Sequence, residues 1–315
     1  MSDTRGWFAI REYGSKHGMQ FLLACYRVGG RGVFAVCLFP VIGFYFCLRR
    51  DARRASLQYL QLMHEANPDF PKPSLRYSFY HFWCFGLALL DKFSVWMGQI
   101  QRKDVSVHGG ELIDAMLSSG RGGILLTSHL GNFEICHALS NNRAGMKLTI
   151  LHHSQHTAKF NNLLRRYSKE SRVELMDVSN IDTAAAIYLS AKISNGEFVA
   201  IATDRVPINN PSAVRELDFL GKSALFPTGP FVLALALHAP IFSLHCLKQD
   251  GRYHIYFEQL SDAHATSRKQ RQALMSSLMN KQAARLEYYC RLAPWQWFNF
   301  YPFWPNKTPD TECKK

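Results

Sequence analysis

From Val105 onward, short apolar runs alternate with segments of helical pattern, and this alternation constrains the fold more than any other feature of the chain. The stretches "VSVHG" (105–109), "GGILLTS" (122–128), "KLTILHH" (147–153), "EFVAIATDR" (197–205), "PIFSLHCLK" (240–248) and "RYHIYFEQL" (252–260) read as strands. Between them, residues 110–120, 158–171, 182–196 and 229–239 read as helices, several ending at glycine. A strand that is apolar at nearly every position suits a sheet covered on both faces. Helices alternating with such strands supply that cover. The expected fold class is therefore α/β, with a central, mostly parallel sheet flanked by helices. In sheets of this kind, sites form beyond the carboxyl ends of the strands.

The first 54 residues follow a different rule. Residues 32–48, "GVFAVCLFPVIGFYFCL", carry no charged side chain, while Arg27 and Arg31 precede them and Arg49, Arg50, Arg53 and Arg54 follow. Seventeen apolar residues sit at the lower limit for a membrane span, and Pro40 interrupts a regular helix. Nine Lys/Arg against three Asp/Glu in residues 1–54 make both ends of the run basic. Anionic headgroups attract both ends, which favours a hydrophobic helix or hairpin embedded in one leaflet over a clean span. We expect a membrane-anchoring segment over 1–54 and one α/β domain over 55–315. In that domain, 56–66 reads as an amphipathic helix and 74–98 as an aromatic-rich one, with rings for the core or for the interface.

The whole chain exceeds neutrality by 13 positive charges, which asks for an anionic partner. No nucleic-acid motif accompanies the charge, so a membrane surface is the better assignment and no nucleic acid is expected. Eight dispersed cysteines without a CxxC pair read as reduced thiols facing the cytosol.

"LLTSHLGNFEIC" (125–136) lies where a buried strand ends. On one regular helix, His129 and Glu134 would point about 140° apart. With His129 in a strand-to-helix turn, Gly131 supplying backbone freedom and Asn132 as N-cap, Glu134 falls in the first helical turn and can reach back to the imidazole. A carboxylate on one ring nitrogen fixes the tautomer and leaves the other as a general base. No serine or cysteine here forms a nucleophile elbow. The chemistry this favours is direct attack of a hydroxyl on an activated acyl group. The plain alternative is a structural histidine and a glutamate placed by the helix dipole.

Four ordered stretches resemble one family. "SHLGNFE" is similar to the His-x4-acid motif of the bacterial lipid A biosynthesis (lauroyl/myristoyl) acyltransferases, within the wider lysophospholipid/glycerolipid acyltransferase superfamily. "GEFVAIATDR" resembles the strand with the second block, "FLGKSALFPTGPFVLA" the block with a Phe-Pro-x-Gly turn, and "RLEYYCRLAPWQWFNFYPFW" the Trp-rich closing segment. Thr228 stands where many relatives have glutamate, and Arg205 where many lipid A enzymes lack arginine, so the chain resembles a less specialised branch. The resemblance implies a glycerolipid acyltransferase-like fold and acyl transfer from a thioester, on acyl carrier protein or coenzyme A, to a lipid hydroxyl. It also implies the cytoplasmic face of a bacterial inner membrane, with anionic phospholipids as surroundings, and His129 and Glu134 as catalytic pair.

Other residues complete the expected site. Asp204 and Arg205 end a strand and are expected to bind substrate, Arg205 by holding a phosphate or carboxylate. Thr228 and Gly229 open a helix whose amides can hold an anion. Gly131 and Asn132 shape the turn, and amides near Gly131 or Arg205 are candidate oxyanion donors. "HHSQH" (152–156) lacks acidic or cysteine ligands, so no metal is expected, no cofactor beyond the thioester co-substrate, and a monomer. The competing readings are a lipid or thioester hydrolase and a non-catalytic basic lipid-binding protein.

Overall fold

The computed structural model describes residues 16–96, 99–133, 135–136, 146–152, 173–177, 182–206, 212–262 and 267–304. Among these, seven strands form one sheet: β1 (Val105–His108), β2 (Gly123–Thr127), β3 (Leu148–His152), β4 (Val173–Asp177), β5 (Phe198–Ala202), β8 (Ile241–Gln249) and β9 (Arg252–Ser261). Their order is β1-β9-β8-β2-β5-β3-β4. Every neighbouring pair is parallel except β8–β9, which are antiparallel. The Asp250-Gly251 turn joins those two, both residues having positive φ.

β2 and β5 lie at the centre, and their continuous apolar sequences follow from cover on both faces. Ile124, Leu126, Val199 and Ile201 point into one apolar cluster; Leu125, Phe198 and Ala200, the alternate positions, point into another. The helix α4 (Gly110–Ser118) closes the second face through Ile113. The first is closed by α2 (Arg50–Ala66), α5 (Thr183–Ser194), α6 (Gly229–Ala236), α7 (Arg268–Leu292) and the closing segment through Trp304.

Three elements go beyond the expectation. β4, "VELMD", joins the sheet edge although too polar to read as a buried run. Residues 214–227 form an antiparallel hairpin, β6 (Val214–Phe219) and β7 (Lys222–Pro227), with Leu220 and Gly221 at positive φ in the turn. α7 begins with a capping box, in which Ser267 Oγ accepts from the Gln270 amide and Gln270 accepts from the Ser267 amide. The helix expected over 158–171 and most of "HHSQH" fall outside the described residues.

The N-terminal segment is helical from Lys16 to Leu48 (α1), broken at Gly30, whose φ of 64° and ψ of −158° are not helical. The ring of Tyr26, before the break, meets Phe34, after it, edge-on at 6.2 Å. After the break, Phe34, Leu38 and Ile42 face Phe82 and Leu90 of α3 (Leu75–Trp96). Gly86 permits that approach, since a Cβ there would lie 2.8 Å from Leu38 Cδ2. Val33, Val36, Phe39, Phe44 and Leu48 are exposed, although the Phe39 ring also meets Phe79 and Trp83 of α3 edge-on at 5.5 and 6.0 Å. By length and composition Ala24–Leu48 is a candidate membrane span. α2 starts six residues earlier than its amphipathic pattern suggests, and α3 turns Phe82 inward while leaving Tyr80 exposed.

Candidate active site

The register of β2 and β5 builds the site. Thr127 pairs with Ala202 at the carboxyl ends of the two strands. Two residues beyond each lie His129 and Asp204, so the two come level by the same register. Thr203 prolongs the pairing: its amide and its hydroxyl both donate to the Thr127 carbonyl at 2.9 Å.

Asp204 is fully buried and gathers three donors. Its Oδ1 lies 2.7 Å from His129 Nδ1. Its Oδ2 accepts the His129 main-chain N–H at 2.8 Å and the Trp297 indole N–H at 3.0 Å. Burial pushes the Asp204 pKa up, but the charge and hydrogen bonds of His129, with the indole N–H, outweigh it and hold the carboxyl at about 2. Asp204 is thus ionised at neutral pH. Enclosure by the protein lowers the imidazole pKa, the cations Arg205 and Lys92 lower it further, and Asp204 opposes them; the net direction is down. His129 is therefore neutral at pH 7, with its proton on Nδ1 facing the carboxylate. Nε2 has no partner among the described residues, and 39% of the side chain remains open to solvent.

The loop that carries His129 is clamped on two sides. The Gly131 amide donates to the Gln296 carbonyl at 2.8 Å, and the Asn132 amide to the Cys246 carbonyl on β8 at 2.9 Å. Phe298 N–H donates to the His129 carbonyl at 3.0 Å. Gly131 has a φ of +73°, and a Cβ there would fall 1.8 Å from the Cys246 carbonyl oxygen, so only glycine fits. Beneath the loop, Ser128 Oγ meets His245 Nδ1 at 3.4 Å, and Ser243 Oγ meets His245 Nε2 at 3.1 Å. On the far side of the closing segment, His81 Nε2 donates to the Trp297 carbonyl at 2.9 Å.

The expected site residues separate into groups. His129 and Asp204 come together, although Asp204 was expected to bind substrate. The carboxylate in contact with Nδ1 is Asp204; Glu134 lies outside the described residues. Asn132 is buried: Nδ2 donates to the Ala88 carbonyl on α3 at 3.0 Å, and Oδ1 has no partner among the described residues. The Gly131 amide, committed to Gln296, is not free to meet an oxyanion. Arg205 is half-buried. Its guanidinium lies 5.2 Å from the Tyr301 ring, Nη2 reaches the Phe298 carbonyl at 3.4 Å, and burial lowers its pKa. Thr228 and Gly229 open α6, with the Thr228 amide on the Ala213 carbonyl. No described hydrogen bond or ion pair links them to His129 or Asp204.

Two contributors carried a weaker signal. Tyr301 donates its hydroxyl to the Asp204 carbonyl at 2.8 Å, and Trp297 donates to the carboxylate. The aromatic density of the closing segment suits either a core or a bilayer interface, and nothing local to it names a partner 93 positions earlier. For Asp204 a signal existed: "TSH" and "ATD" place a chemically active residue at the same offset after two neighbouring strands. Among the described residues, no three His, Cys, Asp or Glu side chains converge as metal ligands.

The phosphatidylinositol mannoside acyltransferase of Mycobacterium tuberculosis is similar to this chain, with 24% identity over 143 residues. That similarity covers 45% of this chain and 44% of the length of that relative. Residues 79–306, more than half of the chain and all of the sheet, match the family described as bacterial lipid A biosynthesis acyltransferase, and the chain belongs to that family.

Proposed function

We propose that this protein is a membrane-associated O-acyltransferase that moves a fatty acyl chain from a thioester to a hydroxyl of a lipid. The observation that carries the reading is His129, with Nδ1 2.7 Å from the buried Asp204 carboxylate and Nε2 without a partner among the described residues, on a side chain 39% open to solvent. Nε2 removes the proton of the acceptor hydroxyl as its oxygen attacks the thioester carbonyl. Asp204 stabilises the imidazolium while the tetrahedral intermediate exists. Collapse breaks the carbon–sulfur bond, and the imidazolium proton passes to the departing thiolate. Arg205 supplies positive charge near the imidazole for the oxyanion or for an anionic group of either substrate.

Asp204 takes the orienting role in this reading. Glu134, the acid of the His-x4-acid motif, is proposed as a second carboxylate of the site, in a supporting part. A glycolipid hydroxyl is the acceptor class we favour, because the family is described by lipid A and the relative by a phosphatidylinositol mannoside. The thioester rides on acyl carrier protein or coenzyme A. The exposed apolar side of α1, with Arg49, Arg50 and Arg54 beyond it, supports docking to the anionic cytoplasmic face of an inner membrane.

The test is incubation of purified protein with radiolabelled acyl-carrier protein or acyl-coenzyme A and a glycolipid panel, beside His129→Ala. Label moves to lipid with wild type and falls by a factor of about 10² to 10⁴ in the variant. Label released as free acid without lipid product would instead favour a hydrolase. Equal lipid labelling by both proteins would remove His129 from the chemistry.

A further inference from the structure

We propose that Trp297 is a positioning residue of the His129–Asp204 pair: its indole N–H, seated on Oδ2, fixes the carboxylate so that Oδ1 faces the imidazole. The inference rests on the acyl-transfer reading for its kinetic consequence and on geometry alone for its structural one.

Trp297 is 1% exposed, and its ring is held edge-on by Tyr59, Phe219, Phe303 and Trp304 at centroid distances of 5.0 to 5.8 Å. A buried indole needs an acceptor for its one donor. Here that acceptor is the carboxylate that touches the imidazole, not a nearby carbonyl. The main chain around the indole is anchored as well: Gln296 O and Phe298 N bond to the His129 loop, and Trp297 O to His81. The indole is therefore fixed relative to His129 from both sides.

The consequence is electrostatic as well as geometric. A donor on Oδ2 draws carboxylate charge away from Oδ1, so the imidazolium is stabilised less than by a free carboxylate. Among the described residues, the groups facing the imidazole are Asp204 and Arg205 beyond β5 and Lys92 on α3; His245 on β8 and Tyr301 in the closing segment interact electrostatically with Asp204. Removal of the indole donor leaves the others in place. The imidazole pKa then rises toward its ordinary value, and Asp204 is held on Oδ2 by the His129 main chain alone. A carboxylate freer to turn aligns the base less well, which lowers kcat without weakening substrate binding.

The experiment replaces Trp297 with benzothienylalanine, which keeps the bicyclic shape and puts sulfur where the N–H was; Trp297→Phe is the genetically encoded companion. Two readouts are taken on the full chain: the His129 titration by NMR, and the pH profile of acyl transfer. In the sulfur isostere the His129 pKa moves up by about half a unit or more. The acid limb of kcat/KM moves with it, and kcat falls about tenfold with KM within twofold, the scale of one hydrogen bond to a charged group. A His129 titration that coincides with wild type overturns the proposal and leaves Trp297 a packing residue, even where Trp297→Phe is inactive from misfolding. Wild-type protein without acyl transfer would instead overturn the function while the titration still decides the role of Trp297.

Discussion

At the scale of single residues, the site is two side chains brought level by strand register, and each atom of the carboxylate has a task. Replacement of Asp204 by Asn keeps the shape but removes the charge that holds the imidazole proton on Nδ1. Asp204→Asn is expected to lower kcat by a factor of about 10² to 10⁴ with KM nearly unchanged, measured in steady-state acyl transfer. Glu134→Gln is expected to cost less than Asp204→Asn in the same assay. The reverse ranking would give the orienting role to the motif acid. Of these residues, His129 was legible because a polar residue directly after a buried strand has few structural reasons to be there. Asp204 was harder to see as a partner: Glu134 is near in sequence, whereas Asp204 is near only once β2 and β5 pair.

At the scale of elements, the turn after β2 and the broken α1 carry the most testable physics. Gly131→Ala places a Cβ against the Cys246 carbonyl oxygen in a left-handed backbone conformation. The loop must then leave β8 or Gln296. A loss of about 2 kcal/mol or more in stability and at least tenfold in activity is expected, read by chemical denaturation and the transfer assay. α1 presents its apolar residues on two sides. One packs on α3 and the other, with Val36, Phe44 and Leu48, is exposed among the described residues. Changing these three to Ser, with α3 contacts untouched, is expected to weaken flotation with anionic vesicles about tenfold or more. Added salt should weaken the wild-type binding, because the flanking arginines contribute. Binding unaffected by both would assign that face to something other than a membrane. Within the segment, the apolar character of residues 32–48 was plain; the break at Gly30 was not, since a Gly-Gly pair reads equally as a flexible helix position.

At the scale of the whole molecule, buried histidines tie stability to pH. Burial lowers the pKa of His81 and of His245 to about 4. Above pH 6.5 both are neutral folded or unfolded, and the pair adds no pH dependence. Between 6.5 and about 4 the unfolded chain binds protons that the folded one does not, so stability falls on acidification. The slope is about 1.4 kcal/mol per pH unit per histidine at most. Urea denaturation across this window should show the loss, and His245→Asn should flatten it. The same layer explains what sequence could and could not foresee. The parallel sheet was legible because strands covered on both faces, such as "GILLT" and "FVAIA", must be apolar throughout. β4 and the β6–β7 hairpin were not, because an edge strand and a half-exposed hairpin need no such purity. Tertiary pairing decided them.

The claim beneath all of this is that His129 at neutral pH carries its proton on Nδ1 against Asp204 and keeps Nε2 bare. Nitrogen-15 NMR of imidazole-labelled protein, with His129→Gln to assign the resonance among 13 histidines, reads that state directly. The account predicts the Nδ1–H tautomer at pH 7 and a titration midpoint below 6.5. A ring protonated on Nε2, or one already charged at pH 7, would contradict it.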